Sequence, residues 1–324
     1  MAVLSDIPGE AEQVSCAICG ADSNRQLFMA RDKVFYGDGR EYPVVECRQC
    51  GLVYLNPRPG GRAKAAYYEN EYPFCMSDGC SQPLAHYQPV IDRLMERDPG
   101  RVLDVGTGNS PFLPEMKQLG WEAAGTEVAE PLADHFREQH GITLHIGELE
   151  DIGFEDDSFD AVTVMGVLEH VPHPRRFLEE VRRILRDGGL MALWCFNRGL
   201  EARLLGRYWL GFDTPRHFYS FSYDTMLRLL AETGFELKGS LFRPISYASY
   251  SGVWAYQRAR NRLRAQHERM PTYRLHLPAA LELVSRPLGR ALAARMESSN
   301  MFLFAEGLAG GGRQTTVKEM EARV

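Results

Sequence analysis

The sequence has no long apolar run. Across its 324 residues, no window approaches the ~18 uninterrupted apolar residues that a membrane-spanning helix requires. The best run, Ala161 to Leu168, has the length of a buried strand. A basic segment followed by an apolar one is missing from Met1 to Glu12, so no secretory leader is expected and the chain is expected to be cytoplasmic. Positive charge is not in excess either. The net charge is −6 and the isoelectric point about 5.9, which argues against general electrostatic attraction to nucleic acid. Internal repeats and low-complexity blocks are absent; Gly310–Gly312 is the one breaker cluster of that kind. What remains is an ordinary globular composition, 44% hydrophobic and 25% charged. At ~150 residues per domain the length suggests two domains, or one large domain with an appendage.

Cysteine is scarce and odd in number, at seven, and without an export signal disulfides are the wrong default. Four of the seven fall in two C-x-x-C-G knuckles, Cys16/Cys19 and Cys47/Cys50, separated by 27 residues. Two such knuckles can present four thiolates to one tetrahedral Zn²⁺, and a closed four-thiolate site is structural. A redox C-x-x-C is the competing reading, and the duplication argues against it. Cys195 reads as strand core, Cys75 and Cys80 as loop cysteines. Between the knuckles, Val34-Phe35-Tyr36, Gly37-Asp38-Gly39 and Tyr42 to Glu46 read as strand, turn and strand.

Three domains are expected: a zinc ribbon over 1–60, a helical linker and cap over 61–99, and an α/β domain over 100–310. The cap is expected to be interrupted at Pro73, Pro83 and Pro89. From Arg101 onward, short apolar strands alternate with amphipathic helices, which implies βαβ units and a parallel sheet. Strands are expected at 102–105, 122–127, 142–147, 159–164, 190–196, 235–243 and 301–305. A helix is expected from Arg175 to Arg186, stopped at Gly188-Gly189, and another over 222–233; 197–221 reads as loop.

Val102-Leu-Asp104-Val-Gly106-Thr107-Gly108-Asn-Ser110 sits at a strand-to-helix turn, where glycines let the backbone approach a ligand. Glu127 ends the next strand roughly 20 residues on, where a carboxylate can take ribose hydroxyls. Asp156-Asp-Ser-Phe-Asp160, Val167-Leu-Glu-His-Val171 and Arg183-Ile-Leu-Arg-Asp-Gly-Gly189 follow in order. Together these motifs resemble the class I S-adenosylmethionine (SAM)-dependent methyltransferases over residues 100–240. The knuckles with Leu52-Val-Tyr-Leu-Asn-Pro-Arg-Pro59 resemble the subgroup with an N-terminal zinc ribbon. The resemblance implies a Rossmann-like seven-stranded α/β domain whose last strand runs antiparallel between its neighbours. It also implies site roles. Backbone at Gly106, Thr107 and Gly108 passes near the methionine part of SAM, and Asp104 orients that loop. Glu127 binds the ribose, Glu148 and Leu149 flank the adenine, and Met165 and Gly166 line the floor beneath the sulfonium. Tyr68 and Tyr72 either close over SAM or pack a helix onto the sheet. Ser110 replaces a frequent glycine and is small enough to cap a helix. A nicotinamide dehydrogenase is disfavoured, because Pro111 stands where G-x-G-x-x-G needs its third glycine.

Two histidines are candidates for acid–base work, His217 and His170. His217, in the Asp213-Thr-Pro-Arg216-His217 loop after the fifth strand, is either an acceptor-site base or donor, or a structural cap of the 222–233 helix. Arg216 is a candidate for binding an anionic acceptor, and Asp213 for orienting His217. The insertion over 244–298 carries nine arginines and no lysine between Tyr256 and Met296. It reads as a helical lid with a basic face, or as a recognition surface for an anionic acceptor or membrane. The expected function is methylation of a small-molecule acceptor, a sugar or natural-product intermediate. The alternatives are an RNA or protein methyltransferase docking through ribbon and arginines, and a non-catalytic scaffold. No feature bears on oligomeric state.

Overall fold

The computed structural model describes residues 11–31, 41–60, 82–209, 211–243 and 298–308. Outside them lie the expected 34–36 strand and 37–39 turn, Tyr68 and Tyr72, Pro73, Cys75 and Cys80, the insertion up to 297, and the C-terminal tail.

The N-terminal part holds β1 (Ala11–Glu12), β2 (Asn24–Arg31), β3 (Glu41–Cys47), β4 (Val53–Leu55) and β5 (Arg58–Pro59). β2, β3 and β4 form an antiparallel meander. The described strand that pairs with β3 before it in sequence is β2, 24–31. Its half-buried alternation is weak in the sequence, because Arg25 and Gln26 face solvent.

The chain continues through α1 (Leu84–Leu94), β6 (Arg101–Val105), α2 (Phe112–Gln118), β7 (Glu122–Glu127), α3 (Glu130–His140), β8 (His145–Ile146), α4 (Leu149–Ile152) and β9 (Phe159–Met165). Next come α5 (Pro174–Ile184), β10 (Leu185–Phe196), α6 (Leu200–Leu205), β11 (Tyr219–Ser220), α7 (Tyr223–Glu232), β12 (Phe235–Arg243) and β13 (Asn300–Gly307). Strands β12-β13-β10-β9-β6-β7-β8 lie side by side in one large sheet, β8 contributing only two residues. All neighbours in the β10-to-β8 stretch are parallel, and β13 runs antiparallel to both β10 and β12.

The central strands are apolar on both faces, as a sheet covered on both sides requires. Alternation sends Leu103, Val105, Val162 and Val164 into one core, and Val102, Ala161, Leu190 and Ala192 into the other. The first core also takes Cys16, Cys47, Leu52 and Val53, so the N-terminal part shares its interior with α5 and α7. β11 joins the N-terminal sheet as its fourth strand, pairing Tyr219 with Tyr54 and Ser220 with Val53.

Several elements differ from the sequence expectation. Pro89 lies inside α1 without breaking it. Helix α5 ends at Ile184, because buried Leu185 already pairs with Phe159. Residues 186–189 bulge out before Leu190 pairs with Ala161, so the two glycines serve the bulge. Of the expected 142–147 strand only His145–Ile146 pairs. The 197–221 segment holds α6 and β11 as well as loop. Among the described residues no helix is long and apolar enough to cross a membrane.

Candidate active site

Three glycines with left-handed backbone gather at the carboxyl ends of β6 and β9. They are Gly106 (φ +66), Gly108 (φ +58) and Gly166 (φ +72). A Cβ on Gly106 would lie 2.7 Å from Val167 Cγ2, and one on Gly166 would lie 2.7 Å from the Trp194 ring. Backbone approach and handedness thus both require glycine at these two positions. The turn after β6 is tied to the end of β7. Gly106 N–H donates to Thr126 Oγ1 at 3.2 Å, and Thr107 N–H donates to the Thr126 carbonyl at 2.9 Å.

The Glu127 carboxylate accepts from the backbone amides of Gly108 (3.0 Å), Val128 (2.8 Å) and Ala129 (2.9 Å). Burial pushes this carboxyl up, and the three amides oppose the shift. Oε1 takes two of these bonds and Oε2 one, so Oε2 keeps acceptor capacity for a further donor. Asp104 faces inward. Thr163 Oγ1 donates to its Oδ1 at 2.6 Å, and Thr107 Oγ1 donates to its backbone carbonyl at 3.0 Å. Burial pushes the Asp104 carboxyl up to about 7, against the pull of the two threonine hydroxyls. Ser110 Oγ accepts from Phe112 N–H at 3.1 Å and so satisfies an orphan amide at the start of α2.

Met165 and Gly166 are half-exposed at the end of β9. Glu148 is exposed just before α4, and Leu149 is buried in the core beside it. The structure therefore brings Gly106, Thr107, Gly108, Ser110, Glu127, Met165 and Gly166 to one edge, with Glu148 beyond β8.

Beyond the ends of β9 and β10, His170 and His217 meet edge to face with ring centroids 4.5 Å apart. His217 Nδ1 lies 2.9 Å from the Gly211 carbonyl. A carbonyl only accepts, so Nδ1 carries the proton and Nε2 of the neutral ring is the acceptor. Phe196, at the end of β10, packs its ring 5.7 Å from His217. The cap of α7 is Ser222, which accepts from Thr225 N–H in a capping box, so His217 is not needed for capping.

Arg216 and Asp213 are paired with each other. Arg216 Nε donates to Asp213 Oδ2 at 2.9 Å, a second guanidinium nitrogen reaches Oδ1, and the arginine is 2% exposed. Burial alone would raise the Asp213 carboxyl, but the charge and hydrogen bonds of Arg216 hold it below its usual range. Asp213 touches His217 through its backbone, its carbonyl accepting from His217 N–H at 2.9 Å.

Sequence reasoning passed over Glu169. It is 3% exposed, and one of its carboxylate oxygens and a ring nitrogen each from His170 and His217 lie within 4.8 Å of one another. The available signal was a carboxylate directly before His170 in the turn after β9.

The four knuckle sulfurs converge. Cys16 and Cys50 Sγ are 3.4 Å apart, Cys19 and Cys47 Sγ 3.5 Å, and all four lie within 4.8 Å of one another. Sulfurs tetrahedral about zinc at ~2.3 Å would sit roughly 3.8 Å apart, so the donor set fits that ion. Each knuckle turns identically: Gly20 N–H donates to the Cys16 carbonyl at 2.9 Å and Gly51 N–H to the Cys47 carbonyl at 3.0 Å.

With this geometry in place, comparison with known proteins adds the family. Residues 83–238 match the family model described as a methyltransferase domain. They form a SAM-dependent methyltransferase domain. Among curated proteins, a ubiquinone biosynthesis O-methyltransferase of Cereibacter sphaeroides (strain ATCC 17025 / ATH 2.4.3) is 29% identical over 163 residues, covering 46% of this chain and 66% of the relative. Its counterpart in Xanthomonas oryzae pv. oryzae (strain PXO99A) is 33% identical over 133 residues, 38% of this chain and 55% of the relative. The matched region thus spans about two thirds of the first relative and about half of the second. Among solved structures, a SAM-dependent methyltransferase of Thermotoga maritima aligns with 75% of this chain and 97% of its own, at 18% identity and a TM-score of 0.48.

Proposed function

We propose that this chain methylates a hydroxyl oxygen of a small biosynthetic intermediate, of sugar or natural-product type, and holds a structural zinc ion on Cys16, Cys19, Cys47 and Cys50. The observation that carries the reading is one juxtaposition. Val167, whose side chain occupies the space over Gly106, begins the turn that presents His170 toward His217. The cofactor loop and the histidine pair therefore flank the same ends of β6 and β9, where ligands of open α/β sheets bind. An oxygen acceptor is favoured by the relatives, which are named O-methyltransferases.

SAM, when bound, supplies an electrophilic methyl group on a sulfonium. Backbone at Gly106–Gly108 admits the cofactor closely, and Glu127 accepts from its ribose hydroxyls. Met165 and Gly166 form the floor. His217 Nε2 accepts the proton of the acceptor hydroxyl as the oxygen bonds to the methyl, while positioning supplies much of the remaining acceleration.

Calorimetric titration with S-adenosylhomocysteine tests the cofactor half. One charge-assisted hydrogen bond at ~1.5–3 kcal/mol predicts roughly ten- to hundredfold weaker binding in Glu127→Ala. Unchanged affinity would remove Glu127 from the site. Among hydroxylated acceptors in a methyl-transfer screen, His217→Ala should lower kcat by ~10²-fold or more at unchanged S-adenosylhomocysteine affinity. Wild-type turnover in that variant would remove the base.

A further inference from the structure

Glu169 is a buried carboxylate that the reading above does not use. Its Oε2 has no hydrogen-bond partner among the described residues. Leaving a buried charged oxygen without a donor is costly, and native proteins keep few of them. The residue is also fixed in relation to His217 from the backbone outward. Its carbonyl accepts from Phe218 N–H at 2.8 Å, which ties the turn after β9 to the loop that carries His217. Its carboxylate then faces the ring nitrogens of His170 and His217 within 4.8 Å. His217 spends Nδ1 on the Gly211 carbonyl, so the ring is held in one orientation and its other edge is left for proton exchange.

We propose that Glu169 is a positioning residue for His217, a buried counter-charge that stabilises the imidazolium formed when His217 takes the acceptor proton. This rests on the reading of His217 as the acceptor-side base. In the step itself the acceptor O–H bond breaks and its proton goes to His217 Nε2. The O–CH₃ bond forms as the S–CH₃ bond breaks, and the imidazolium later releases its proton to solvent. Glu169 exchanges no atom; its negative charge is balanced only while the ring is cationic.

The surroundings agree with this assignment. Burial raises the Glu169 carboxyl, and a positive charge on His217, when the ring is protonated, is the main opposing influence, with backbone amides of Glu169 and Phe196 adding to it. The other titratable or charged groups facing the pair among the described residues are His170, the Asp213–Arg216 ion pair and Cys195. Asp213 and Arg216 largely cancel each other. The Cys195 thiol is pushed well up by burial and by Glu169 itself, so it stays neutral. Glu169 is therefore the acid nearest the two rings whose charge only an imidazolium would balance.

The test follows the protonation of the His217 ring by ¹⁵N NMR across pH, in the full zinc-loaded protein saturated with S-adenosylhomocysteine. Glu169→Gln should lower the proton affinity of His217 about tenfold, one unit along the pH axis. Glu169→Asp should lower it by less, and it is also the variant to read if the amide fails to fold. Binding of S-adenosylhomocysteine should change by less than about twofold, since the loop after β6 is held by its hydrogen bonds to Thr126 and Glu127. An unchanged His217 titration in either folded variant overturns the proposal. So does a divalent cation retained by the wild-type protein beyond its four-cysteine site and lost in Glu169→Gln. The titration needs no acceptor. An unshifted ring in a protein that His217→Ala inactivates would leave the base reading intact and reject Glu169 alone.

Discussion

Around the ends of β6 and β7, polar groups find partners within the loops themselves. Gly106 and Thr107 bond Thr126, and Gly108, Val128 and Ala129 all donate to Glu127. Around the ends of β9 and β10 further partners come from the N-terminal part. Leu55 N–H donates to the Phe218 carbonyl at 2.9 Å, next to His217. Arg58, 2% exposed, donates to the Pro172 carbonyl at 2.8 Å and to the Tyr219 hydroxyl at 2.9 Å. Arg198 reaches the Gly51 carbonyl, and Phe28 packs edge-on against Phe212 at 5.1 Å. The edge at β6 and β7, the proposed cofactor half, is thus self-supporting, whereas the edge at β9 and β10, the proposed acceptor half, is also braced by the cysteine-bearing sheet through β4 and β11. A region that depends on a second module for its hydrogen bonds loses order when that module does.

Removing the proposed zinc site should separate the halves most strongly. Cys47 ends β3, β3 pairs with β4, and β4 pairs with the strand two residues beyond His217. Zinc thiolate sites hold small lobes together, so Cys47→Ser or zinc chelation should unfold 15–58. Amide hydrogen exchange at 53–55 and 218–220 should then accelerate by at least about a hundredfold, and exchange at 106–108 by less than about threefold. S-adenosylhomocysteine should still bind. Uniform loss of protection along the whole edge would refute the division.

Gly106→Ala sharpens the comparison from the other side. The left-handed backbone costs ~1 kcal/mol for alanine, and the new Cβ meets Val167 Cγ2 at 2.7 Å. The turn must shift, and about tenfold weaker S-adenosylhomocysteine binding is expected. Gly108→Ala is the control, because it has the same handedness with no atom within 4 Å of the added carbon. It should carry the backbone cost alone. Equal effects of the two variants would show that Val167 does not set the position of the loop.

The sequence was most legible where one residue type has one use. The two C-x-x-C-G knuckles located the four sulfurs, and Val102 to Val105 followed by glycine located the turn at the sheet edge. β13 pairs antiparallel between β10 and β12 as the family resemblance implied. Legibility failed where partners are distant. Strand β11 is two residues long and is held by Tyr54 and Val53, which lie far from it in sequence. Local propensity cannot show such a strand. Arg216 read as an open cation and Asp213 as an orienting acid, because their mutual pairing depends on how the loop folds back. Glu169 was invisible because glutamate beside histidine on a turn usually faces water, and only the closed structure shows it buried.

The smallest expected effect concerns Asp104, which belongs to the cofactor half yet faces the core. Its carboxyl is pushed up to about 7 by burial, from an ordinary value of 3.8. The folded protein therefore binds this proton more tightly than the unfolded chain. Stability from this group is fully present below the unfolded value and is lost as pH rises through the folded one. Asp104→Asn keeps the shape and removes the titration. The stability of the wild-type protein relative to the variant should then decline between about pH 5.5 and pH 8, by no more than a few kcal/mol. Lower pH is avoided because thiolates there lose metal to protons. Chemical denaturation without cofactor, at several pH values in that window, gives the difference directly. A difference that stays constant with pH would mean that the Thr163 hydroxyl keeps Asp104 ionised throughout. The loop after β6 would then be anchored by a charge rather than by a neutral acid.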